Sequence, residues 1–256
     1  MEKYFSINES GYSIRCKLYA NSVSDLKEIV IFGHGFGGHK DNKAAARFAG
    51  KILGKHKSTG VITFDWPGHG EDAIKSISLK DCDFYLNTVV NYIRESFGIN
   101  DIFAYATSFG GYLFLKYIQE NENPFTAIAL RCPAVKMYEV ITSVIMTEDN
   151  LKLLQKGKPV MVGFDRKVKI GKEFLDDIKV NDISVMDYSN LAERILIIQG
   201  TKDEVVPPAS VEEFSKKNEI MYISIDGADH RFMNQTYMDE AIKDIIEFYE
   251  LYGKEV

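Results

Sequence analysis

Ser108 stands in the run Ala106-Thr107-Ser108-Phe109-Gly110-Gly111, between apolar residues 102–105 and a stretch of helical character at 112–120. A serine on a sharp strand-to-helix turn, flanked by small residues two positions away on each side, is displayed as a nucleophile for acyl chemistry. Such a turn forces the serine backbone into a sparsely populated conformation and brings the flanking chains together. Large side chains two residues before or after would collide there, and Ala106 and Gly110 avoid that. Alanine occupies the place of the first glycine in the Gly-x-Ser-x-Gly pattern.

A serine hydroxyl needs a base within hydrogen-bond reach and a third group to orient that base. Five histidines are available: His34, His39, His56, His69 and His230. In a parallel sheet the loops after the strands meet along one edge, so groups that act together should follow strands. Ser108 does so. Asp203 does so in the segment 199–207, and His230 in the segment 226–232. Glu204, Asp226 and Asp229 compete with Asp203 for the acid's place. His34 and His69, with Asp65, read as loop and turn architecture, and Asp41 and Asp72 as helix or turn caps.

The elements that must carry these residues alternate between short β-branched runs and amphipathic helical stretches. That alternation predicts a mostly parallel sheet covered on both faces. A hairpin is expected over residues 4–7 and 13–19, turning at Ser10-Gly11. Buried strands are expected at 28–33, 60–65, 102–105, 127–131, 194–200 and 220–225. Helices are expected at 42–56, from Asp81 as cap to 97, at 112–120, after Pro207-Pro208, and at 235–251. The rhythm breaks between 132 and 190. That segment holds helical pieces at 138–155 and 172–179 and a short stretch at 157–163, with no clear buried strand. It reads as a small cap, residues 132–190, inserted into a core made of residues 1–131 and 191–256.

Four motifs in order resemble the α/β-hydrolase family over essentially the whole chain: His34-Gly35-Phe36-Gly37-Gly38, Asp65-Trp66-Pro67-Gly68-His69-Gly70, the Ser108 turn, and the Gly200/Asp203/Pro207 and His230 segments. The order Ser, Asp, His is also that of the family. The inserted segment and the stretch Gly200-Thr-Lys-Asp-Glu-Val-Val-Pro207 resemble small bacterial carboxylesterases of the feruloyl or cinnamoyl type. The resemblance implies an α/β-hydrolase fold with an eight-stranded, mostly parallel sheet. It implies that Ser108 attacks an acyl carbonyl, that His230 moves the proton, and that Asp203 orients His230. It further implies an oxyanion hole made by the backbone N–H groups of Phe36 and Phe109. The expected activity is serine-dependent cleavage of carboxylic esters with aromatic or short-to-medium acyl groups. Thioesterase, acyltransferase and serine peptidase are the alternatives on the same constellation. A non-catalytic binding protein on this scaffold would be expected to lack a triad member.

Composition bounds the partners. The chain is 45% hydrophobic and 27% charged, with a net charge of −6 and no block of Lys and Arg. No nucleic-acid partner is expected, nor a membrane partner, since no apolar run approaches the ~18 residues of a span. The N-terminal segment has no apolar core of a signal peptide, and Cys16, Cys82 and Cys132 are scattered. A reduced, cytoplasmic location is the simplest expectation. No metal is expected, since no His/Cys/Asp cluster has ligand spacing. No nucleotide or other cofactor is expected either, because the glycine-rich loop lacks the phosphate-binding register. The partner is then a small-molecule ester, acting on a monomer or homodimer. Trp66, Tyr138, Met146, Met161 and Phe164 are the candidates for substrate contact, with plain packing of turn or cap as the alternative for each.

Overall fold

The computed structural model describes residues 1–253. Its chain runs β1 (Glu2–Glu9), β2 (Tyr12–Ala20), β3 (Glu28–Gly33), α1 (Lys43–Lys55), β4 (Thr59–Phe64), α2 (Leu79–Phe97), β5 (Asp101–Thr107), α3 (Phe109–Glu120) and β6 (Ile128–Arg131). The last core elements are β9 (Ile195–Gly200), α7 (Pro208–Lys217), β10 (Met221–Ile225) and α8 (Gln235–Glu250). The eight core strands form one sheet in the order β1-β2-β4-β3-β5-β6-β9-β10. β1 pairs with β2, and β2 with β4, antiparallel; every other pairing in the sheet is parallel. This is the α/β-hydrolase fold.

The central strands are buried on both faces, which is why they read as continuous apolar runs rather than alternating ones. On one face, α1 and α8 cover Val30, Phe32, Phe103 and Tyr105 with Phe48, Ile52, Ile242 and Ile245. On the other, α2 and α3 cover Ile31, Ile62 and Ala104 with Tyr85, Val89, Leu113 and Phe114. Each such large side chain taken from water contributes about 1.5–3 kcal/mol. The β1–β2 turn has Ser10 at φ 49° and Gly11 at φ 85°, the left-handed pair that a tight hairpin requires.

The caps differ in detail from expectation. Ser78, not Asp81, caps α2: its hydroxyl accepts from the backbone N–H of Asp81 at 3.1 Å. Asp81 sits three residues in and accepts from Ser78 Oγ at 2.6 Å. Asn42 caps α1. Its neighbour Asp41 takes Lys40 and the Tyr4 hydroxyl instead. Asp72 is a turn cap, accepting from Gly68 N–H and the Tyr85 hydroxyl.

Between β6 and β9 lie α4 (Met137–Val140), a wide π-helical turn (Ile141–Ile145), α5 (Glu148–Gln155), β7 (Val160–Val162), β8 (Val168–Ile170) and α6 (Lys172–Val180). The single helix expected over 138–155 is broken. Thr147 starts a new helix with a capping box to Asn150, and Thr142 Oγ1 bonds back to Tyr138 O at 2.7 Å, a competitor of regular helix. β7 and β8 form an antiparallel pair of three-residue strands where no strand was expected. Their inward residues, Val160, Val162, Val168 and Ile170, are buried in the same cluster as α2 and α3. Strands this short show one alternation each, too little for periodicity to register.

Candidate active site

Ser108 sits between the last residue of β5 and the first of α3, with φ 52° and ψ −117°. That is a strained region for a residue with a Cβ, and the surroundings hold it there. The Ser108 N–H donates to Arg131 O at 3.1 Å, and the Ser108 carbonyl accepts from Tyr112 and Ala134. Gly110 allows the close approach this requires. A Cβ on it would stand 2.5 Å from Gly33 O and 2.8 Å from His34 O.

His230 lies in the loop after β10, with its imidazole between two partners. Nε2 is 3.0 Å from Ser108 Oγ and Nδ1 is 2.8 Å from Asp203 Oδ2. Asp203 follows β9 and its side chain is fully buried. Its Oδ1 accepts from the N–H groups of Val205 and Val206 at 2.9 and 2.8 Å, and Oδ2 also accepts from Gln199 Nε2 at 2.9 Å. Burial works to raise the Asp203 carboxyl, but hydrogen bonding and charge from His230 and the two backbone donors outweigh it and hold it below the usual carboxylate range. The other acids near the site are engaged elsewhere. Asp226 accepts from Thr201, Asp229 from Met233 N–H, and Glu204 from the His230 backbone.

Gln199 is a member of this network that the sequence reading passed over. The signal was there: a fully buried polar residue ending the apolar run Ile195–Ile198. Cys132 is a second. It is buried at φ 49° directly after β6, and burial together with Asp203 pushes its thiol well above the usual range. Cys132, Asp203 and His230 are the one group among the described residues whose potential metal-ligand atoms cluster, all within 4.8 Å. Asp203 and His230 use those atoms on each other.

The loop 34–38 lies beside the serine. Its two turn residues Gly35 and Gly38 are joined by an N–H to carbonyl bond of 2.9 Å. Phe36, in this loop, and Ser108 line the same cleft. Phe109 opens α3, so its N–H is a first-turn donor with no acceptor inside the helix. His34, the first residue of this loop, packs against His69 with ring centres 5.3 Å apart. His34 Nε2 accepts from Trp66 N–H at 3.3 Å, and His34 Nδ1 and His69 Nδ1 each bond a carbonyl at 2.9 Å. Burial drives both imidazoles down to about 3, so both are neutral struts.

The cleft over Ser108 has a volume of about 490 Å³. Its apolar wall comes from Met137, Val140, Ile145, Val205 and Phe164. Of the five residues expected to touch substrate, only Phe164 lines it. Trp66 is fully buried, with its indole N–H donating to His34 O at 3.0 Å and its ring 4.4 Å from that of Phe64; it is turn packing. Met146 is buried in the core. Tyr138 is turned toward the Lys179 ammonium, 5.4 Å from its ring centre. Met161 is 56% exposed because its strand neighbours Val160 and Val162 take the inward positions. A larger cavity of about 850 Å³, beside Lys27, Lys55 and Glu250, shares no residue with the Ser108 cleft. No helix among the described residues is long and apolar enough to cross a membrane.

The chain is similar in family and in fold to known proteins. The family model described as serine aminopeptidase, S33 matches residues 24–162. A putative hydrolase from Agrobacterium vitis S4 superposes with a TM-score of 0.76 at 16% identity, covering 97% of this chain and 98% of that one. Est1E from Butyrivibrio proteoclasticus, solved with ferulic acid bound, gives 0.76 at 18% identity over 97% and 98%. A monoacylglycerol lipase from Paleococcus ferrophilus gives 0.61 at 18% identity over 94% and 99%. At these identities the likeness is one of fold. No curated protein matches the chain significantly by sequence.

Proposed function

The chain belongs to the serine aminopeptidase S33 family of hydrolases, and from that premise we propose that it cleaves carboxylic esters through an acyl-serine intermediate. The observation that carries the reading is the position of the His230 ring, bonded to Ser108 Oγ at 3.0 Å and to Asp203 at 2.8 Å. An ionised Asp203 can only accept, so Nδ1 bears the proton and Nε2 keeps its lone pair for the serine. In the proposed cycle, Ser108 Oγ bonds to the ester carbonyl carbon while its proton passes to Nε2. The carbonyl oxygen becomes an oxyanion, held by the N–H groups of Phe36 and Phe109. The carbon–oxygen bond to the alcohol breaks, and His230 returns the proton to the departing oxygen. Water then attacks the acyl-serine with His230 again as base, releasing the acid and restoring the hydroxyl.

We further propose that residues 132–190 act as a cap whose Met137, Val140 and Ile145 receive an aromatic or short-to-medium acyl group. The ferulic acid bound by Est1E is consistent with an aromatic acyl group. A peptidase cutting at a free amino terminus needs a carboxylate for the substrate's ammonium. The two acids of this cleft, Asp41 and Asp165, are already paired with Lys40 and Arg231, which favours the ester over the peptide.

The test is turnover of a series of para-nitrophenyl acyl esters and methyl ferulate by the wild type and Ser108→Ala. The expected loss in the variant is roughly 10³–10⁶ in kcat. Equal turnover by both proteins would overturn the proposal.

A further inference from the structure

Four cationic side chains stand in the cleft wall against two carboxylates, in a protein whose net charge is −6. Lys43, Arg131, Arg166 and Arg231 line the cleft with Ser108 and His230. Its two carboxylates do not balance them. Asp41 lies 2.8 Å from Lys40 and 3.5 Å from Lys17, and Asp165 is 2.9 Å from Arg231. Lys43, Arg131 and Arg166 have no carboxylate within ion-pairing distance among the described residues.

Arg131 is the decisive member. It is 5% exposed, and its Nε has no hydrogen-bond partner. Its guanidinium is held by Arg231 O at 3.2 Å, by Met238 Sδ at 3.4 Å and by the Phe232 ring at 5.0 Å. A guanidinium this deeply buried with no carboxylate within ion-pairing distance carries a desolvation penalty that an arriving anion offsets. Two exposed cations, Lys43 and Arg166, stand in the same concavity, and low-dielectric walls focus their common field into it.

Resting on the esterase reading above, we infer that the substrate is an anionic ester: besides the bond that is cut, it carries an ionised acid group, which the wall formed by Lys43, Arg131 and Arg166 receives. The apolar wall takes the hydrocarbon part. The anion accounts for what an uncharged ester would leave unexplained, three unpaired like charges lining one cleft with the serine.

Matched pairs of probes test this. The first pair is meta-butanoyloxybenzoate and its neutral carboxamide, with the charge on the leaving group. The second is the mono-para-nitrophenyl ester of adipic acid and its amide-capped form, with the charge on the acyl group. The expected result is a kcat/KM at least ~10-fold higher for the anion in one pair, shrinking in high salt as screening shortens the reach of the charges. The double variant Lys43→Gln/Arg166→Gln should bring that ratio toward one, and so should Arg131→Gln, with unfolding curves to show that it folds. Calorimetric titration of Ser108→Ala with the same four probes reads binding without turnover. Tighter binding of the carboxylates with no hydrolysis by the wild type would keep the anion site and remove the esterase reading. Hydrolysis of both pairs with no preference for the charged member, and equal binding, would overturn the anion site and leave the esterase standing.

Discussion

The rings of Phe36 and Phe109 meet edge to face with centroids 5.6 Å apart, so the two residues proposed to supply the oxyanion donors are packed against each other by their side chains. His69 joins the contact, 5.5 Å from Phe36 and 6.3 Å from Phe109. One donor belongs to a loop and the other to a helix start, and the aromatic contact ties them together. Phe36→Ala should therefore lower kcat by about 10–100-fold while KM changes less, because a misplaced donor is felt most in the transition state. Steady-state kinetics on a para-nitrophenyl ester would check it; a rise confined to KM would assign the ring to substrate binding instead.

Asp203→Asn should fold and fail. The amide oxygen still accepts from Val205 and Val206 N–H, so the loop keeps its shape. It no longer carries the charge that fixes the His230 tautomer, and a fall of roughly 10³–10⁴ in kcat is expected. The measurement is kcat together with the unfolding midpoint. Lost activity with an unmoved midpoint is the expected outcome, and retained activity would point to another acid.

Two glycine substitutions should act in opposite directions. Gly110→Ala pushes a Cβ to 2.5 Å from Gly33 O, a main-chain atom that cannot swing aside. It should cost about 1–3 kcal/mol or more. Gly50, on the exposed side of α1, has nothing within 4 Å of its added Cβ, so Gly50→Ala should stabilise by about 0.5–1 kcal/mol through helix propensity. Urea unfolding of both variants decides it.

Acid should destabilise the fold through His34 and His69. Both are held near 3 by burial, against an ordinary value of 6.5. Between those values the unfolded chain binds protons that the folded chain excludes, so their contribution is complete above about pH 6.5 and is lost as pH falls toward 3. Each contributes a slope of at most about 1.4 kcal/mol per pH unit. His69→Phe, which keeps an aromatic ring against Phe36 and Phe109, should show a smaller stability difference between about pH 7 and pH 5 than the wild type. An unchanged difference would exclude His69 as a source.

Much of this molecule was legible before its structure. The steric demand on Ala106 and Gly110 around Ser108, the apolar runs of β3, β4, β5 and β9, and the succession of Ser108, Asp203 and His230 after strands all follow from local sterics and from burial on two faces. These act within a few residues and leave their mark on the residue types themselves. Tertiary structure decided the rest. Which of Asp203, Glu204, Asp226 and Asp229 faces His230 depends on how the loops after β9 and β10 fold over each other, with Lys202 N–H bonding Ala228 O at 3.0 Å. Which side chains line the cleft depends on how α4 is turned: Met137 faces the cleft and Tyr138 does not, and one step along a helix is a rotation of about 100°. Composition cannot register a rotation, and apolar residues pack a cap or line a pocket equally well. The meeting of Lys43, Arg131 and Arg166 in the cleft of Ser108 likewise joins three segments far apart in the chain, at the start of α1, the end of β6 and the turn between β7 and β8, and only the folded chain brings them together.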